Sequence, residues 1–155
     1  MNMRALTLAA ALTAASVATT PAFGSEKTDV QTVVVQYSDD FSKNDMKAAD
    51  ALCADHVVII DDFAPHVWQG ATACADWWNA FVADNKSSGI ARGIVKLGKP
   101  WHVSVTADRA YAVFPLMYTF KHNGTSTTSH GVWTFALQKL AAGWRIAGWA
   151  FTLHP

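Results

Sequence analysis

Residues 109–140 read RAYAVFPLMYTFKHNGTSTTSHGVWTFALQKL, and this stretch decides the fold class. Two long runs rich in β-branched and aromatic residues, 109–121 and 125–140, flank His122-Asn123-Gly124. Asn-Gly accepts positive φ in a tight turn, so the pair reads as a long β-hairpin. Upstream, residues 91–97 and 101–106 are strand-like and are separated by Gly98-Lys99-Pro100. They are either two strands or one long bent strand. Downstream, Ala141-Ala142-Gly143 turns the chain and residues 144–153 return as a last strand.

The N-terminal half follows a different period. Val30, Val33, Val34, Tyr37 and Phe41 recur at steps of three and four, which predicts a helix over residues 26–43 with one apolar face. Ser25 is its expected N-cap, with Thr28 as the alternative. After Asn44-Asp45, residues 46–53 read as a second short helix capped by Asp45. Residues 56–60 form a β-branched run, hence a buried strand, which Asp61-Asp62-Phe63-Ala64-Pro65 ends, opening a loop to Gly70. Residues 72–85 read as a third helix carrying Ala73, Trp77, Trp78 and Phe81, and Ser87-Ser88-Gly89 closes it. Helices first and strands later predict an α+β domain. Three N-terminal helices pack on one face of a curved, mostly antiparallel sheet.

Residues 1–24 read as a cleavable signal peptide. Arg4 supplies the charged region, an Ala-rich apolar run follows to about Ala18, and Ala22-Phe23-Gly24 offers a small-x-small cleavage site. The run is too short and interrupted for a good transmembrane span. No Cys stands at the cleavage point, which argues against a lipoprotein. The expected mature chain, residues 25–155, is one domain in the periplasm or outside the cell. It is near neutral, because 12 basic and 12 acidic residues lose only Arg4 to the signal. The sequence has no basic stripe for nucleic acid and no polybasic or amphipathic segment for a membrane surface. A composition 51% hydrophobic and 15% charged, with seven Trp, excludes general disorder. Two cysteines, Cys53 and Cys74, would meet an oxidising compartment and pair as a disulfide; the alternative is two buried free thiols.

The order of elements resembles the nuclear transport factor 2-like superfamily, which includes the SnoaL-like cyclases, ketosteroid isomerase and scytalone dehydratase. Three stretches carry the likeness. Gln36-Tyr37 through Lys43-Asn44-Asp45-Met46 resembles the end of that group's first helix. Ala54-Asp55-His56-Val57-Val58-Ile59-Ile60-Asp61 resembles the strand that ends in an aspartate. Gly143-Trp144-Arg145-Ile146-Ala147-Gly148-Trp149 resembles the closing strand. The resemblance implies a cone-shaped α+β barrel whose open end is an apolar pocket. Fold alone does not give the reaction, because the same cone serves isomerases, dehydratases, cyclases and binding proteins.

The resemblance also implies site residues. Tyr37 falls where ketosteroid isomerase keeps its oxyanion-hole tyrosine. Asp61 aligns with the proton-shuttling carboxylate, and strand alternation leaves either Asp61 or Asp62 as the inward one. His130 stands before Gly143-Trp144 at a distance like that of a catalytic histidine in scytalone dehydratase. An even turn would place His130 on the face of Trp149 and Phe151; an odd turn would place Gly131, Trp133 and Phe135 there instead. Trp78, Trp133, Trp149 and Phe151 are the expected apolar wall. The second oxyanion donor of ketosteroid isomerase has no equivalent among Trp133, Thr134 and Phe135. The second histidine of the dehydratase is missing from residues 91–97, His102 being the nearest. His56, His66, His122 and His154 are scattered without metal-ligand spacing, and no P-loop, dinucleotide fingerprint or nucleophile elbow is present. No metal or cofactor is therefore expected.

Three functions stay open from sequence. The first is binding of a small apolar molecule. The second is proton-transfer catalysis, as in an isomerase or dehydratase. The third is protein interaction through the sheet. The long strands are apolar on both sides: Tyr111, Val113 and Met117 oppose Phe114, Leu116, Tyr118 and Phe120. In the closing strands Trp133, Phe135 and Leu137 oppose Val132 and Ala136, and Trp149 and Phe151 oppose Ile146. A cone interior covers only one face, so a homodimer through the other is expected.

Overall fold

The computed structural model describes residues 25–154; the expected signal peptide lies outside them. In chain order the elements are α1 (Glu26–Lys43), α2 (Met46–Asp50), β1 (Cys53–Ile60), β2 (Val67–Gly70), α3 (Ala73–Ser87), β3 (Ile90–Leu97), β4 (His102–Thr106), β5 (Arg109–His122), β6 (Thr125–Leu140) and β7 (Gly143–Leu153). The strands form a curled half-barrel in the order β2-β1-β7-β6-β5-β3, with β4 also paired to β5. All pairings are antiparallel except β1 with β7, which is parallel. The fold is the α+β cone that the sequence predicts.

Local chemistry sets the helix ends. Ser25 caps α1 by accepting a hydrogen bond from Thr28 N–H. Asn44 ends the helix at φ 64°, where its short polar side chain tolerates the left-handed region. Asp45 accepts from Ala48 N–H at 3.1 Å and starts α2. α2 stops at Asp50, three residues earlier than expected. Cys53 instead opens β1 and pairs in register with Ile146 of β7. The stretch Val67–Gly70, expected to be loop, forms the edge strand β2 against β1. β3 and β4 are two strands, laid end to end along one edge of β5. At the hairpin tip Asn123 and Gly124 take φ 49° and 84°, as the Asn-Gly signal requires.

The core lies between the helices and the concave face of the sheet. Val30, Val34, Tyr37 and Phe41 of α1 are buried there. They meet Ala112, Phe114, Phe135, Leu137, Ile146 and Ile59 from the strands. Burying each large side chain contributes about 1.5–3 kcal/mol. Three polar ties fix α1 over the sheet. Glu26 accepts from Lys139 and from Trp144 Nε1, and these bonds hold its carboxyl below the usual range. Ser42 Oγ donates to Val95 O and accepts from Val95 N–H. The Cys53–Cys74 disulfide forms and links the start of β1 to the first turn of α3.

The strand β7 carries a one-residue bulge. Leu137 pairs with Ile146, but Ala136 pairs with Gly148, which leaves Ala147 without a partner on β6. Ile146 and Trp149, three residues apart, therefore both face inward, and both are buried. This corrects the expectation that Ile146 opposes Trp149. Val58, Ile60, Tyr111 and Met117 lie on the convex face, where each is more than a third exposed.

Candidate active site

A cavity lies between the helices and the concave face of the sheet. The cavity holds about 210 Å³. One wall comes from Phe41 of α1 and Trp77, Phe81 and Asn85 of α3. The opposite wall comes from Leu116, Tyr118 and Phe120 of β5, Trp133 of β6, and Trp149 and Phe151 of β7. Asp61, Asp62 and Asp84 supply its acidic groups. An apolar cleft with a few polar groups is the usual form of a small-molecule site.

Trp149 organises the floor. Its ring lies edge-on to Trp77, with centroids 4.7 Å apart, and edge-on to Trp133 at 5.4 Å. Its Nε1–H donates to Tyr37 Oη at 3.2 Å. Such perpendicular contacts suit the ring quadrupoles. Phe41 adds a second layer by touching Trp77, Trp133 and Tyr118.

Asp61 follows the last residue of β1 and is only 7% exposed. Its Oδ2 accepts from Trp77 Nε1 at 2.8 Å and its Oδ1 from Asp62 N–H at 2.8 Å. Burial raises its pKa to about 6, because the charged form loses hydration. The two donors oppose the rise and the neighbouring Asp62 carboxylate adds to it. The result is a fixed carboxyl group whose pKa is raised toward the range in which carboxyl groups serve as general acids or bases. Asp62 is exposed and lines the cavity beside it.

The other expected site residues separate. Tyr37 is fully buried beneath the floor, with its hydroxyl already bonded by Trp149, and it does not line the cavity. Burial pushes its phenol well above the ordinary range. His130 is exposed on the convex face, opposite Met117 of β5. The reason is the bulge. The Ala141-Ala142 turn has two residues, which alone would have put His130 on the face of Trp149. Ala147 adds one residue and reverses the parity, so Trp133 and Phe135 face inward with Trp149 and Phe151. Trp78 does not line the cavity. It packs against Phe41 and Phe81 behind the wall, and Trp77 stands in its place. Trp133, Trp149 and Phe151 line the cavity, and so do Asp61 and Asp62. Trp77 and Tyr118 are among the lining residues that the sequence analysis did not name as site residues. Trp77 could have been found from its helical stripe with Ala73 and Phe81, and Tyr118 from its alternation with Leu116 and Phe120.

A second hollow lies outside the cone, lined by Asp50, Asp55 and the disulfide. Asp50 approaches both sulfurs, but these are bonded to each other.

Comparison with known proteins agrees with this architecture. A family model described as SnoaL-like domain matches residues 30–151. No protein of curated function matches the chain. Among solved structures, a ketosteroid isomerase-like protein from Erwinia carotovora atroseptica SCRI1043 superposes with a TM-score of 0.69 at 19% identity, covering 86% of this chain and 99% of that one. A nuclear transport factor 2-like superfamily protein from Salmonella enterica serovar Typhimurium LT2 gives 0.70 at 18% identity, over 84% and 92%. A protein of the same group from Streptomyces avermitilis, provisionally named a dehydratase, gives 0.69 at 14%, over 83% and 96%. At these identities the likeness concerns the fold.

Proposed function

Because the chain belongs to the SnoaL-like domain family, we propose that its cone binds a small, largely apolar molecule and that Asp61 exchanges a proton with it. The observation that carries this reading is Asp61 itself: a nearly buried carboxyl group at the wall of an aromatic cavity, fixed by Trp77 and Asp62. As a carboxylate it accepts a proton from a weakly acidic C–H bond. As an acid it returns that proton to another atom of the same molecule, or assists a leaving group. Isomerisation and dehydration both take this form. Tyr37 and His130 have no part in it.

The protein acts after export. Residues 1–24 direct secretion, and the disulfide supports a periplasmic or extracellular setting. A second copy covers the convex face, where Val58, Ile60, Tyr111 and Met117 are exposed.

The test is proton exchange. Small carbon acids are incubated with the mature protein in D₂O, and loss of the C–H signal is followed by NMR. The expected result is catalysed exchange with at least one of them that Asp61→Asn abolishes. If no compound of the size the cavity admits exchanges faster than in buffer, the catalytic part of the reading fails.

A further inference from the structure

The buried carboxyl group of the cavity wall has no counter-charge. Asp61 is nine-tenths buried, and aspartates are almost never buried unless they are paired. Its two donors, Trp77 Nε1–H and Asp62 N–H, are neutral. The ion pairs among the described residues are Arg109 with Asp108 and Lys139 with Glu26, and none of the four lines the cavity. His66 bonds the backbone carbonyl of Asp61, not its carboxylate. A carboxylate offers about four acceptor positions, and its two donors leave part of that capacity unused.

The rest of the lining has the same sign. Asp62 and Asp84 line the cavity from exposed positions. Among the described residues of the lining there is no lysine, arginine or histidine. Burial is the main cause that pushes the phenols of Tyr37 and Tyr118 up, and the negative charge of Asp61 adds to it. A cleft whose charges share one sign and whose walls are apolar focuses its field on whatever enters. The space is limited. A cavity of about 150 Å³ takes up benzene, and this one holds about 210 Å³. That is room for one ring with a short chain.

We infer that the cavity is a site for an organic cation, a one-ring apolar molecule carrying an ammonium group on a short chain, and that Asp61, with Asp62 and Asp84, supplies the counter-charge. The inference rests on the binding part of the reading given above and names its ligand class; it does not depend on proton exchange at carbon. Taking an ammonium group out of water costs more than taking out a hydroxyl group, unless a carboxylate meets it. In an uncharged apolar cavity the alcohol would therefore bind better than the amine. With a buried, unpaired carboxylate already in the wall, the order reverses. The N–H groups of the ammonium then occupy acceptor positions that Trp77 and Asp62 leave open, and an anionic ligand meets only repulsion.

The experiment compares 2-phenylethylammonium, 2-phenylethanol and phenylacetate. They share a ring and nearly a size, and carry a positive, no and a negative charge. Binding to residues 25–155 at neutral pH is measured by calorimetry and by the fluorescence of the tryptophans in the wall. The ammonium is expected to bind about tenfold tighter than the alcohol or more, a gap of about 1.4 kcal/mol, and phenylacetate weakest of the three. Asp61→Asn should bring the ratio of ammonium to alcohol toward one, while the alcohol's own affinity shows that the cavity is intact. If that variant does not fold, Asp62→Asn and Asp84→Asn together, both at exposed positions, should shrink the ratio. Equal or tighter binding of the alcohol overturns the inference and leaves the apolar pocket standing. A preference for the ammonium that the folded variants keep in full overturns it too, since the attracting charge then lies elsewhere. Failure of all three probes to bind overturns the pocket reading as well.

Discussion

Asp61 makes the chain's stability depend on pH in an unusual direction. In the unfolded chain its pKa is near 3.8; in the folded protein it rises to about 6. Between these values the native state binds more protons than the unfolded one. Stability from this group is therefore fully present below about pH 4 and is lost as pH rises through 6. The shift corresponds to about 3 kcal/mol between the two protonation states. Asp61→Asn removes that slope. It also leaves one of the donors, Trp77 Nε1 or Asp62 N–H, without an acceptor, so at neutral pH the two effects offset. Urea denaturation of both proteins from pH 4 to 7 should show a declining contribution in the wild type that the variant lacks. Parallel curves would mean that Asp61 is ionised throughout. The sequence narrowed the buried carboxylate to Asp61 or Asp62 but did not tell the surroundings of Tyr37, and the reason is physical. A carboxylate after four β-branched residues has few places to go except a strand end. A tyrosine on an apolar helix face is inward in any case, and whether its hydroxyl is free depends on a tryptophan 112 residues away.

Among the elements, β7 carries the closure of the sheet. Gly148 sits where β7 meets β1, and a Cβ there would lie 2.7 Å from the backbone oxygen of Val58. Backbone cannot move aside as a flexible side chain can. Gly148→Ala should therefore cost about 1–3 kcal/mol or more, read as a lower urea midpoint with an unchanged m-value. An unshifted midpoint would mean that β1 and β7 are not tightly apposed. The hairpin of β5 and β6 was legible because Asn-Gly specifies it within four residues. The edge strand β2 was not, since four residues ending in glycine make a strand only when β1 stands beside them. The early end of α2 has a similar cause: pairing of Cys53 with Ile146 is a contact across most of the chain, and local propensity holds no record of it. The bulge was invisible for another reason, as Ala147 has no side-chain chemistry that marks it.

For the molecule as a whole, the α+β cone could be read from the sequence because its parts occur in order and each carries its own local signal. The disulfide closes a segment with a sequence separation of 21, which in the chain-entropy model stabilises the fold by about 3 kcal/mol. It supplements a core that helices and sheet share. What the order of elements does not tell is how copies associate. With Val58 and Ile60 46% and 48% exposed, the convex face should pair with itself about a two-fold axis. Analytical ultracentrifugation of residues 25–155 at micromolar concentration should give the dimer mass, and Ile60→Lys should shift it toward the monomer. A monomer in the wild type would mean that this face is left to water.

The bulge turns β7 into something like a reading frame. Everything from Gly148 to Leu153 keeps its inward or outward sense only because the ladder skips Ala147. Deleting Ala147 brings Ile146 next to Gly148 and leaves Trp149, Phe151 and Leu153 facing the cavity. Deleting Ala150, equally small and three positions later, is a frameshift: Phe151 and Leu153 turn outward, and Thr152 turns in. Two deletions of the same residue type should thus have opposite outcomes. The first should leave the cavity wall and the stability intact, and the second, which turns Phe151 away from Trp133, should lower the urea midpoint. Length variation along this strand is then admissible at one position, so a lineage could gain or lose a residue at position 147 without exchanging the two faces of its sheet.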